Sequence, residues 1–183
     1  MTKSQQTATR KLVLSALFIA IGLLLPFLTG QIREIGNKLL PMHIPVLLCG
    51  LVCGWQYGGA VGFIVPLLRS LLFGMPMLYP NAIAMAFELC AYGLISGLIY
   101  YLFKNQNVIA VYASLITAML VGRIIWGIAE IVLLKIDGGG FTAKMFMTGA
   151  FINAVPGIIV QLILIPAIMS ALNASGVLVY RRR

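Results

Sequence analysis

The chain is poor in charge and poorest in acid: of 183 residues only four are Asp or Glu, and charged residues make up 9%. A soluble domain carries about 25% charged residues, so there is too little polar surface here to coat a globule in water. Histidine is nearly missing too. His43 stands alone, whereas a metal site needs several convergent ligands and Ser–His catalysis a base beside its nucleophile. Between Pro41 and Pro45 it reads as a helix-start or interface residue. The three cysteines, Cys49, Cys53 and Cys90, all lie in apolar runs, so a disulfide framework is not expected and Cys49 and Cys53, one turn apart, read as packing residues. No glycine loop ends in Lys-Ser or Lys-Thr, and Gly138 to Gly140 follow an aspartate, so any use of ATP must come from another chain. No polar stretch is long enough for a separate soluble domain, which excludes ATPase, kinase and nucleic-acid-binding modules. A convincing internal repeat is also lacking, which counts against the large inverted-repeat transporters.

What is present is hydrophobic: 61% of the residues, with a mean hydropathy of +1.04. The solvent is therefore lipid, and at about 20–25 residues per span the length admits roughly five to seven helices in one domain, 1–183. Apolar runs fall at Leu12 to Leu28 (ending near Pro26), Met42 to Gly54, after Trp55 to Gly58 on to about Phe73, Asn81 to Phe103, Val108 to Lys135 and Phe146 to Leu172. The second is short enough to be tilted or re-entrant. A signal peptide would have a shorter apolar core and a small-residue cleavage site, so the first run is read as a retained helix. The net charge of +9 comes without a basic patch interleaved with aromatics, so nucleic acid is not the partner. The basic residues instead mark membrane edges. With both termini cytoplasmic, the inner segments hold Lys3, Arg10, Lys11, Lys104 and Arg181 to Arg183 and no acid; the outer ones hold Arg33, Lys38, Lys135 and Lys144, diluted by Glu34 and Asp137. That asymmetry predicts an even number of spans. The expected fold is an all-α bundle of six transmembrane helices.

Four charges lie inside the spans: Arg69, Glu88, Arg123 and Glu130. Each costs about 2.5–3.5 kcal/mol if central and unpaired, so such residues either lock helices together or mark a functional site. Arg123, Trp126 and Glu130 are spaced i, i+3, i+7 and share a helical face, as do Glu88 and Tyr92 at i, i+4. Arg69, Asn81 and Asn153 fall near outer helix ends, and the last span adds Gln161, about two turns from Asn153. Together they predict an outward-facing polar cavity. Ser96, within Gly93 to Gly97, lacks the Gly-x-Ser-Gly spacing of an intramembrane serine protease. In the first helix Ala16 and Ala20, continued by Gly22, are small residues one turn apart that would let another helix approach closely.

The basic N-terminus, the Ala16-Leu-Phe-Ile-Ala20 motif, six spans in under 200 residues and a polar first outer loop resemble the S-components of energy-coupling factor (ECF) transporters. The likeness covers essentially the whole chain. Leu40 to Gly50, Pro66 to Ser70, Phe73 to Pro76 and Ala84 to Glu88 look like the pantothenate-type branch. The resemblance implies a vitamin-binding subunit of a prokaryotic plasma membrane, with no enzyme activity or cofactor of its own. A transmembrane coupling protein and two cytosolic ATPases would supply the work. Ala16 and Ala20 would face the coupling protein, and the pocket would lie in the outer half. Pantothenate is a carboxylate, which makes Arg69 and Arg123 the candidate anion partners. Glu88 and Glu130 would pair with them or accept ligand hydroxyls. Riboflavin or a thiamine precursor would instead stack on Trp126, Tyr92 or Phe151. A self-sufficient proton-coupled transporter, using Glu88 or Glu130 as its proton site, is the other reading.

Overall fold

The computed structural model describes residues 3–29, 38–136, 138, 140 and 142–176, and every regular element among them is helical. Helix α1 (Lys3–Leu24) runs into a 3-10 turn, Leu25–Thr29, at Pro26. Then come α2 (His43–Cys53), α3 (Trp55–Phe73), α4 (Ile83–Leu102) and α5 (Val108–Ile136). The five-residue α6 (Ala143–Met147) leads through a wide turn, Thr148–Ile152, into α7 (Val155–Ala174). The protein is a helical membrane protein in which five segments are long and apolar enough to cross a bilayer: Thr7–Leu28, Trp55–Phe73, Leu78–Leu102, Val108–Ile136 and Ala143–Ala174.

The expected second span is the exception. Helix α2 has 11 residues, about 16 Å against a hydrocarbon core of about 30 Å. It is also the most enclosed element: every residue of it except Val52 is buried. A helix apolar all round belongs inside a bundle, and α1, α3, α4 and α7 all pack against α2. Arg33, Glu34, Asp137 and Arg181 to Arg183, on which the charge asymmetry partly rests, lie outside the described residues.

Lipid gives no hydrophobic drive for helices to associate, so close approach has to come from small side chains. Here α2, α3 and α4 meet on glycine. A Cβ built on Gly58 would sit 2.5 Å from Gly50 Cα and 2.6 Å from the Gly93 carbonyl oxygen, both backbone atoms. Gly58→Ala must therefore push helices apart. It is expected to cost about 1–3 kcal/mol of stability, read as a lower melting temperature in detergent. Gly140→Ala, where an added Cβ meets nothing, should melt like the wild type.

Helix α1 covers α2 and α3 with its Ser15 and Gly22 side, and Pro26 of the turn after it is buried as well. A Cβ on Gly22 would meet Val65 at 3.0 Å, so Gly22 faces inward and does not continue the Ala16–Ala20 stripe. Ala16 and Ala20 are exposed, flanked by exposed Leu12, Val13, Leu17 and Leu24.

Candidate functional site

The site begins with the entry to α2. Leu40 has φ +50°, an uncommon left-handed conformation for a branched residue, and its carbonyl accepts the His43 N–H at 3.1 Å. That turn, pressed by its Lys38 and Leu39 backbone against Gly157 of α7, sets His43 as the first residue of a helix that starts inside the protein. Helix α4 presents Glu88 and, one turn on, Tyr92. Helix α5 brings Arg123 from its middle, and Gly122 beside it admits the Tyr92 ring, which a Cβ there would meet at 2.8 Å.

These residues converge. Arg123 Nη1 lies 2.9 Å from Glu88 Oε1, an ion pair by distance but not aligned as a hydrogen bond, and His43 Nε2 stands 3.5 Å from the same oxygen. Tyr92 meets the His43 ring edge-on, centroids 5.1 Å apart. His43, Glu88, Tyr92 and Arg123 are all at most 5% exposed. Burying one charge alone would cost several kcal/mol, and Coulomb attraction offsets that only for a close pair; Glu88 and Arg123 supply it. Yet the pairing is incomplete. Among the described residues, His43 Nδ1 and Nε2, Glu88 Oε1, Arg123 Nε and Nη2, and the Gln161 amide nitrogen are buried with no hydrogen-bond partner. Native proteins leave few such atoms. Five of these six belong to three touching residues. The open Nε–Nη2 edge of Arg123 is the geometry with which a guanidinium grips a carboxylate through two parallel hydrogen bonds.

The other expected site residues are placed differently. Glu130 is buried two turns along α5 from Arg123, with no ion pair among the described residues. Gln161 is buried on α7, and Asn153 is exposed. Asn81 is half-buried in the wide turn Leu78–Ala82, whose Tyr79 hydroxyl donates to the Leu133 carbonyl of α5. Trp126 stacks on Phe146 of α6 at 6.3 Å. Each ring also covers a glycine of the opposite segment, Trp126 on Gly149 and Phe146 on Gly127, so Trp126 is engaged in holding α6 down. The Phe151 side chain lies outside the described residues.

Arg69 joins none of these groups. Its Nη1 donates to the Leu23 carbonyl at 2.5 Å, and the guanidinium lies 5.0 Å from the Phe27 ring centroid and 5.4 Å from that of Phe73. A cation there suits the carbonyl end of α1, where the last turn's oxygens have no helical donor. Arg69→Met is expected to cost about 1.5–3 kcal/mol of stability, the range for hydrogen bonds to charged groups. Ligand affinity should stay within about twofold, because Arg69 touches neither Glu88 nor Arg123. Thermal melts and ligand titration of one preparation check both halves.

His43 is the residue the sequence analysis set aside. The available signal was length: an apolar run too short to span can begin inside the bundle, and its polar first residue then meets whatever charge the neighbouring helices carry there.

A search of curated proteins and one of solved structures each returned no match. A family model does match, over residues 10–169, nearly the whole helical bundle from α1 to α7. By that match the chain belongs to the family of the ECF transporter, substrate-specific component.

Proposed function

We propose that the chain is the high-affinity vitamin-binding subunit of an ECF-type transporter, and that its ligand is pantothenate. In this reading α2 counts as the sixth, partial crossing, both termini are cytoplasmic, and the membrane is the prokaryotic plasma membrane. The chain catalyses nothing itself; a transmembrane coupling protein and two cytosolic ATPases drive release.

The observation that carries the ligand assignment is the unpartnered Nε–Nη2 edge of Arg123, buried beside Glu88. It favours a carboxylate over a flat ring system. Riboflavin is less well served, since Trp126 is already stacked on Phe146 and Tyr92 is buried against His43. The test is competition: labelled pantothenate should be retained by the detergent-purified chain without ATP. Excess unlabelled pantothenate should displace it, and riboflavin or a thiamine precursor should not. Displacement by either of the latter would move the assignment to that vitamin.

A second reading keeps the family and drops the ATPases. Glu130, buried without an ion pair among the described residues, is the kind of acid a proton-coupled carrier uses. Vesicles holding this chain alone separate the two: concentrative uptake under a proton gradient would support it, and binding without uptake would exclude it.

A further inference from the structure

The charges at the site do not balance once a carboxylate arrives. Glu88 and Arg123 neutralise one another, so with a neutral imidazole at His43 the empty cluster carries no net charge. A carboxylate on the open edge of Arg123 leaves one guanidinium facing two anions, with a net charge of −1 in a region that excludes water. An uncompensated buried charge is strongly unfavourable, and among the described residues no other cation is paired with the cluster. Arg69 of α3 is turned to Leu23 and two phenyl rings. Lys11 of α1 lies over the Tyr57 ring at the other end of α2. Helix α7 carries no titratable side chain at all, and α4 offers Glu88 itself, Cys90, Tyr92, Tyr100 and Tyr101, none of them a cation. On α5 the further charges are Glu130, which adds to the negative side, and Lys135, exposed in the last turn.

We propose that the site takes its anionic ligand together with one proton, and that His43 carries it. The statement rests on the carboxylate reading above. The geometry is already in place: the imidazole is 1% exposed, its Nε2 stands 3.5 Å from Glu88 Oε1, and both ring nitrogens lack a hydrogen-bond partner. An imidazolium donates from both nitrogens, so its N–H at Nε2 can face Glu88. The proton comes from bulk solvent, no covalent bond in the ligand changes, and the loaded site holds two cations against two anions. Tyr92, packed on the ring edge, holds the imidazole in place. His43 is thus a specificity group: it makes room for an acid where the Glu88–Arg123 pair alone would tolerate only a neutral molecule.

Calorimetry of pantothenate binding to the full detergent-purified chain, repeated at pH 8 in buffers of different ionisation enthalpy, counts protons. The wild type should take up about one proton per ligand, and its affinity should fall about tenfold per pH unit on the alkaline side, as linkage requires. The alcohol analogue, with –CH2OH in place of the carboxylate, should bind with no uptake. His43→Gln should bind the acid at least about tenfold more weakly, with no uptake and little pH dependence, yet bind the alcohol about as the wild type does, which also shows that it folds. Glu130→Gln should keep the uptake. Wild-type binding of pantothenate without proton uptake overturns this proposal alone, as does uptake that survives His43→Gln. Failure of the wild type to bind pantothenate overturns the vitamin assignment first and this inference with it.

Discussion

Arg123→Ala is expected to weaken pantothenate binding by about thirtyfold to a few thousandfold, from the roughly 2–5 kcal/mol lost when one partner of a buried charge pair is removed. Two effects add. The ligand carboxylate loses the Nε–Nη2 edge, and Glu88, 2% exposed, loses the cation 2.9 Å away. The second effect can harm the fold and must be separated from the first. The double variant Arg123→Met with Glu88→Gln removes both charges, should recover most of the stability, and should still bind pantothenate no better than Arg123→Ala. Arg123→Lys should rescue only in part, since an ammonium cannot form the paired contact. The alcohol analogue should lose less on Arg123→Ala than the acid does. Titration calorimetry on monodisperse preparations reads the binding results, and thermal melts read the stability of the double variant. Unchanged acid binding in Arg123→Ala would show that the carboxylate is held elsewhere.

The second large effect concerns α1. Replacing Ala16 and Ala20 together by Leu or Trp should leave pantothenate affinity within about twofold while reducing coprecipitation with the coupling protein and ATP-driven uptake at least about tenfold, because close helix approach depends on small residues. Both alanines lie on an exposed arc with Leu12, Val13, Leu17 and Leu24, where larger side chains disturb no contact within the chain. Gly22→Leu is the opposite control. It lies on the buried side against Val65 and Pro45 and should lower thermal stability. Should the double alanine variant lose ligand binding while the complex still assembles, the face has been assigned to the wrong partner.

Much of this was legible from residue spacing, and the failures have physical causes. Glu88 and Arg123 stood out because charge inside an apolar run is costly, so opposite signs on consecutive helices had to meet; they do. The Ala16–Ala20 stripe was visible as a spacing, but 22 is neither three nor four beyond 20, and the structure turns Gly22 to the far side. Arg69 was grouped with the site by sign and depth alone. Nothing in a linear sequence says that α1 ends where its carbonyl meets Arg69, 46 residues on. Trp126 shares a helical face with Arg123 and Glu130, yet a face is wide enough to serve two neighbours, and Phe146 takes the tryptophan. His43 shows what length decides. Flanking prolines suggested a helix start, and His43 is the first residue of its helix; that this 11-residue helix starts inside the bundle, beside Glu88, is set by its packing.

The central claim is that this chain, by itself and without ATP, holds a carboxylate vitamin beside Arg123. The most direct measurement is mass spectrometry of the small molecule that copurifies with the detergent-solubilised wild type, compared with the Arg123→Ala preparation. The account predicts pantothenate at close to one molecule per chain in the wild type, by its high affinity, and its loss from the variant. A different molecule, or pantothenate retained equally by both preparations, would contradict it.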